Sequence, residues 1–174
     1  MKYFFKFLYV KIQHFIFICN IKISKKPILI LDIDNTIADT WPTLNNKYKS
    51  EQDRVISIKP LIGTINYLKS KYSTDKYQWI YLSRRNYNIQ LTTIKWLKKN
   101  GLFANVFNVI FVQKPVEKIY LINKYVLQPF VYFDDLSYNH ENGEVKFYVT
   151  EISSVNSNIL AKYYDYSHII NLNK

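Results

Sequence analysis

Four short apolar runs punctuate the chain, and each ends in polar or charged residues. They are Ile28 to Leu31, Trp79 to Leu82, Val106 to Val112 and Phe130 to Phe133. Rich in β-branched and aromatic residues, these runs show no sustained polar alternation, as expected of strands buried on both faces. Between them the apolar spacing changes to that of helices. Leu61, Ile65, Leu68 and Tyr72 share one helical face, as do Tyr87, Leu91, Ile94 and Leu97, and then Ile119, Ile122 and Val126. Asn86 suits an N-cap, Pro115 suits a first turn, and Asn100-Gly101 suits a helix stop. Strands alternating with helices predict an α/β fold, a doubly wound, mainly parallel sheet with helices on both faces.

The intervening stretches are less regular. Trp41 to Ser57 is polar and aperiodic, which predicts a loop with one short helix at most. After the fourth run, Leu136 to Glu144 is polar. Its Asn142-Gly143 signals a hairpin, or a loop before a strand over Val145 to Val149. The tail carries Tyr163, Tyr164, Tyr166 and His168, an aromatic cluster suited to covering a sheet edge.

The first 26 residues stand apart as a basic, hydrophobic leader helix ahead of a domain over residues 27–174. Lys6, Lys11 and His14 interrupt the apolar run, which makes a poor membrane span and a poor signal peptide. Phe4, Phe5, Leu8, Ile12, Phe15 and Ile16 share a broad helical face. Two readings stay open: an interfacial helix lying on an anionic membrane, or a helix packed on the domain or on a second subunit.

Charge sharpens this picture. The formal net charge is +11, but six lysines precede the first acidic residue, Asp32, so the remainder is only mildly basic. The excess argues for a leader at an anionic surface and disfavours a nucleic-acid-binding body. Cys19 is the sole cysteine, which excludes an intramolecular disulfide and fits a cytoplasmic protein, membrane-associated if the leader docks.

The candidate chemistry sits at the strand ends, where open α/β sheets bind ligands. Asp32, Asp34 and Thr36 follow the first run, and Asp134 and Asp135 follow the fourth. Close, buried carboxylates need compensation, which a divalent cation with oxygen ligands provides. Ser83, Arg84 and Arg85 follow the second run, just before a helix N-terminus. A hydroxyl, free backbone N–H groups and a guanidinium there form a phosphate cradle. Lys114 and, one turn later, Lys118 follow the third run.

Hydrophobic strand then D-x-D-x-T, S-x-R before T-x-x-W-L-x-x-x-G, K-P-x-x-x-I and a terminal DD resemble the four motifs of the haloacid dehalogenase (HAD) superfamily. The S-x-R and W-L features are similar to capless members such as polynucleotide phosphatases and acid-phosphatase-like proteins. The gap after the first motif has no room for a full cap, leaving a minimal flap over Thr40 to Ile58.

The resemblance implies a Mg²⁺-dependent phosphomonoester hydrolase. Asp32 is then the nucleophile that forms an aspartyl-phosphate, and Asp34 the general acid and base. Ser83, Arg85 and Lys114 contact the phosphoryl group, with Thr36 beside them and Lys118 the alternative lysine. Asp32, Asp34 through its backbone carbonyl, Asp134 and Asp135 hold the metal. The substrate is a phosphorylated small molecule or a polymer end. Two alternatives follow, a polynucleotide-end phosphatase and a membrane-peripheral binding protein that keeps the fold without catalysis. Tyr138, Asn139, His140 and Glu141 follow the fourth motif closely enough to touch substrate. An open site is expected, with Arg85 and His140 near its rim.

Overall fold

The computed structural model describes residues 2–137, 139–141, 144–146 and 148–174. In chain order the strands are β1 (Ile28–Leu31), β2 (Ala38–Asp39), β3 (Lys59–Pro60), β4 (Gln78–Ser83), β5 (Val109–Phe111), β6 (Phe130–Phe133), β7 (Asn139–Glu141), β8 (Glu144–Lys146) and β9 (Ala161–Tyr164). The helices are α1 (Lys2–Ile23), α2 (Trp41–Leu44), α3 (Glu51–Ser57), α4 (Ile62–Lys71), α5 (Gln90–Lys99), α6 (Pro115–Tyr125), α7 (Val149–Asn156) and α8 (Tyr166–Leu172), with a 3₁₀ turn over Tyr87–Ile89 before α5.

Five strands form one sheet in the order β5-β4-β1-β6-β9, and every pairing is parallel. β1 lies at its centre, and all four of its residues are fully buried. Alternation splits them between two cores. Leu29 and Leu31 pack with Ile65, Leu68, Ile94, Leu97 and Ile169 from α4, α5 and α8. Ile28 and Ile30 pack with Phe17, Ile119, Ile122 and Val155 from α1, α6 and α7. This is the doubly wound α/β architecture, and among the described residues no cap domain is inserted.

Between β1 and α4 the chain forms a small flap. β2 and β3 pair antiparallel and enclose α2 and α3, two short helices where the sequence predicts one at most. Ser50 caps α3 by accepting from the Asp53 N–H, and Trp96 of α5 donates its indole N–H to the Ile58 carbonyl at the flap's end. On the same face of the sheet α4 crosses α8 so closely that a Cβ on Gly63 would lie 1.7 Å from the Leu172 carbonyl oxygen.

Several predicted elements are trimmed or moved. The third run makes a strand only from Val109, because Asn105 Oδ1 accepts from the N–H groups of Phe107 and Asn108 and so bends residues 105–108 into a turn. Leu91, placed by its spacing on the inner face of α5, is exposed, and Thr93, Ile94, Trp96 and Leu97 are buried instead. Val149 begins α7 and does not continue a strand, while β7 and β8 form the predicted hairpin pairing. The Asn142-Gly143 turn, Tyr138 and the side chains of Asn139, His140 and Glu141 lie outside the described residues. Tyr163 and Tyr164 of the tail belong to the edge strand β9 itself, with Tyr164 stacked on Phe133 at 4.3 Å between ring centroids, while Tyr166 and His168 lie in α8.

Candidate active site

The carboxyl ends of β1, β4 and β6 converge on a cavity of ≈ 240 Å³. Parallel pairing forces this convergence, since it aligns Leu31 with both Tyr81 and Phe133, so the residues after each strand emerge side by side. Asp32, Asp34, Ser83, Arg85, Lys118, Asp134 and Asp135 all line the cavity, with Thr40, Trp41, Glu51 and Arg54 contributed by the flap.

Asp32, Asp134 and Asp135 are buried and offer oxygens that lie within 4.8 Å of one another. Lys118 holds two of them together. Its Nζ donates to Asp32 Oδ1 at 2.7 Å and to Asp134 Oδ2 at 2.8 Å, and the lysine itself is buried. The Tyr132 hydroxyl donates to the same Asp134 oxygen. One cation among three carboxylates leaves an excess of negative charge. Burial pushes Asp32 up to about 7, with Lys118 opposing and Asp134 and Asp34 adding to the rise. Burial likewise pushes Asp135 well above the carboxylate range, helped by Asp134 and Asp32. For Lys118 burial disfavours the charge, but Asp134 and Asp32 outweigh it and raise its affinity for the proton.

Asp135 Oδ2 is buried with no hydrogen-bond partner. A buried, orphaned carboxylate oxygen beside two more carboxylates is the donor set of a hard dication such as Mg²⁺. The residues present therefore fit a metal of that class.

Asp34 has a different environment. Arg85 grips it bidentately, Nε to Oδ2 at 2.8 Å and Nη2 to Oδ1 at 2.6 Å, while Thr40 Oγ1 donates to Oδ1 at 2.6 Å. Burial works against its charge, yet Arg85 and then Thr40 overrule it and hold Asp34 at about 2. The third guanidinium nitrogen of Arg85, Nη1, donates to Thr93 Oγ1 at 3.0 Å. With 3% of its side chain exposed, Arg85 lies buried in the wall of the cavity and not at its rim, where the sequence reading expected it.

Ser83 sits at the end of β4 with a buried hydroxyl that has no hydrogen-bond partner, facing the cavity. Two predicted residues are elsewhere. Thr36 is fully buried and does not line the cavity. It follows a tight turn in which Asn35 adopts the left-handed conformation (φ 54°) and Ile37 and Ala38 both donate to the Ile33 carbonyl. Lys114 is exposed and lines a neighbouring cavity; Lys118 is the lysine that reaches the carboxylates.

Other residues shape the site without having been singled out from the sequence. Tyr132 is two residues before Asp134, so strand alternation puts both on one side of β6. Thr93 and Trp96 belong to the T-x-x-W-L run, and one steadies Arg85 while the other ties down the flap. Arg54 reaches the cavity wall and is held by Glu51 and by Thr43.

A scan against protein-family models gives no match, and a search of the curated proteins gives none. Among solved structures the chain is similar to the class C acid phosphatase from Bacillus anthracis with tungstate bound, at a TM-score of 0.50 and 17% identity, covering 95% of this chain and 84% of that one. Another structure of the class C acid phosphatase from Bacillus anthracis aligns over the same shares at 18% identity and a TM-score of 0.48. At such identity the likeness shows the fold alone, a doubly wound α/β sheet.

Proposed function

We propose that this chain is a metal-dependent phosphomonoester hydrolase that works through an aspartyl-phosphate on Asp32. The observation that carries the reading is the buried triad of Asp32, Asp134 and Asp135, clamped by Lys118 opposite an unpartnered Ser83 hydroxyl. Its likeness in fold to an acid phosphatase accords with that reading.

The chain's own residues supply the steps. An oxygen of Asp32 attacks phosphorus, the P–O bond to the leaving group breaks, and the phosphoryl group passes to the carboxylate. Asp34 protonates the departing oxygen, then takes a proton from the water that hydrolyses the acyl-phosphate and restores Asp32. Ser83 donates to a phosphoryl oxygen, and Lys118 balances the charge that accumulates around Asp32. A bound Mg²⁺ would be held by Asp32, Asp134, Asp135 and the Asp34 carbonyl, and would supply further neutralisation of the phosphoryl oxygens. Asp135 Oδ2, buried and without a hydrogen-bond partner, would be open to it, whereas Asp134 Oδ2 already accepts from Lys118 and Tyr132.

Arg85 links recognition to acid catalysis. While it grips Asp34 that carboxylate stays ionised and cannot act as an acid. A phosphoryl dianion in the cavity competes for the same guanidinium. Its arrival loosens the pair and lets Asp34 take the proton that the leaving oxygen needs.

The test is phosphate release from sugar phosphates, nucleotides and end-phosphorylated oligonucleotides, with Mg²⁺ and with EDTA, alongside Asp32→Asn. Release that depends on the metal and on Asp32 is expected. A folded, Mg²⁺-loaded protein that releases phosphate from none of these esters overturns the reading.

A further inference from the structure

Helix α1 is apolar on two opposite sides. One side, with Gln13, Phe17 and Ile21, is buried on the domain. Gln13 Oε1 accepts from the Phe111 N–H of β5 at 3.0 Å, and Asn20 Nδ2 donates to the Phe107 carbonyl at 2.6 Å. These bonds fix the rotation of the helix, and so decide what its other side shows to solvent.

That other side carries Leu8, Ile12, Phe15 and Ile23, all exposed, with Phe15 at 66% and Ile23 at 78%. Their spacing makes one continuous stripe. Phe107, 64% exposed in the turn before β5, widens it, and Phe15, Cys19, Ile23 and Phe107 line an apolar groove of ≈ 580 Å³. Exposed Lys11 and Lys22 flank the stripe, and exposed Lys25 follows the helix. Lys11 Nζ lies 5.3 Å from the centroid of the Phe7 ring. No acidic residue occurs before Asp32.

We infer that α1 docks the protein on an anionic membrane surface. Phe15 and its neighbours enter the boundary between headgroups and acyl chains, and Lys11, Lys22 and Lys25 meet the headgroup phosphates. Charge selects this occupant, and among the described residues no helix is long and apolar enough to cross a membrane. A second copy seated stripe to stripe would bring lysines against lysines, with no carboxylate on either helix to pair them. Tyr9 and Val10 of the same helix also line the cavity beside the active site. The inference stands apart from the hydrolase reading, since it concerns binding alone.

The experiment is co-sedimentation of the full chain with vesicles of phosphatidylcholine alone and of phosphatidylcholine containing phosphatidylglycerol. The variants are Ile12→Glu with Phe15→Glu, and Lys11→Gln with Lys22→Gln, each checked by thermal unfolding and by oligomeric state. Wild type should bind the phosphatidylglycerol vesicles and release at high salt. The glutamate pair should abolish binding, and the glutamine pair should weaken it by about fivefold per lysine removed. Lys11 and Lys22 are exposed, so the glutamine pair keeps the test decisive if the glutamate pair misfolds. Any one of three results overturns the inference: no binding to phosphatidylglycerol vesicles, equal binding to phosphatidylcholine alone, or a wild-type dimer that Phe15→Glu dissociates in the absence of lipid binding.

Discussion

Arg85 holds both oxygens of Asp34 from the wall of the cavity, where Thr93 fixes its remaining nitrogen. Arg85→Gln strands the Asp34 carboxylate, a quarter of whose side chain stays exposed to water. It should therefore cost about 1–3 kcal/mol of stability near neutral pH, read by urea unfolding. The sign of its pH dependence follows from Asp34, whose folded-state value is lowered to about 2. The pair contributes fully above the ordinary carboxylate range and loses that contribution as pH falls toward 2. The gap between wild type and variant should close in acid. A gap that persists unchanged at pH 2 contradicts the ion-pair account.

Asp32→Asn keeps size and removes both nucleophile and charge. Turnover should fall by several orders of magnitude. Stability of the metal-free protein should hold or rise, because Asp134 and Asp135 lose a repelling neighbour while Lys118 keeps Asp134. Near-wild-type turnover rules out the aspartyl-phosphate.

Metal and pH are linked through the same triad. In the metal-free protein Asp32 titrates near 7 and Asp135 is raised as well. The folded state then keeps protons that the unfolded chain releases above about pH 4. This cluster's contribution is largest in mild acid and declines as pH rises through 7. With EDTA, Tm should drop between pH 5 and pH 8. Mg²⁺ should restore it, and by more at the higher pH. Identical Tm with EDTA and Mg²⁺ at pH 8 would argue strongly against a carboxylate metal site.

Much of this arrangement was legible in the sequence because it follows from strand ends. Once Ile28 to Leu31 and Phe130 to Phe133 are read as neighbouring parallel strands, Asp32 and Asp134 must meet. What failed depended on reach and local bonding. Lys114 precedes α6 and points away, whereas Lys118 lies one turn inside the helix, beside Ile119 on the face that packs on the sheet. Thr36 matches the motif by spacing, but the left-handed Asn35 carries it under the turn. Arg85 reads as a phosphate ligand until Asp34 is seen in its grip. The β9 strand escaped notice because its residues are mostly half-buried and alternate weakly, as an edge position allows.

Lys118 and Lys114 can be told apart directly. Lys118→Met should leave Asp32 and Asp134 facing each other with no cation between them. A loss of about 3–5 kcal/mol is expected in the metal-free protein, partly recovered by Mg²⁺, together with loss of activity. Lys114→Ala, at an exposed position, should change stability by less than about 0.5 kcal/mol. Equal effects of the two substitutions contradict the placement.

The cavity that holds Asp32 shares the wall of Arg84, Arg85 and Asn86 with a second cavity of ≈ 470 Å³, lined also by Tyr9, Tyr87, Gln113 and Lys114. Among the described residues no cap domain closes over either one. An ester no larger than the phosphoryl group and a few atoms fills only the first cavity. A larger leaving group carrying an anionic group extends into the second, where Arg84 and Lys114 concentrate positive charge. Contacts made there hold the reacting phosphorus in place and raise kcat as well as lowering KM. Steady-state kinetics on a size series of phosphomonoesters should therefore show kcat/KM rising by about tenfold or more from the smallest ester to a large anionic one. Lys114→Ala should remove most of that gain and leave the smallest ester unchanged. If the smallest esters are the best substrates of a monomeric protein, the second cavity takes no part in recognition.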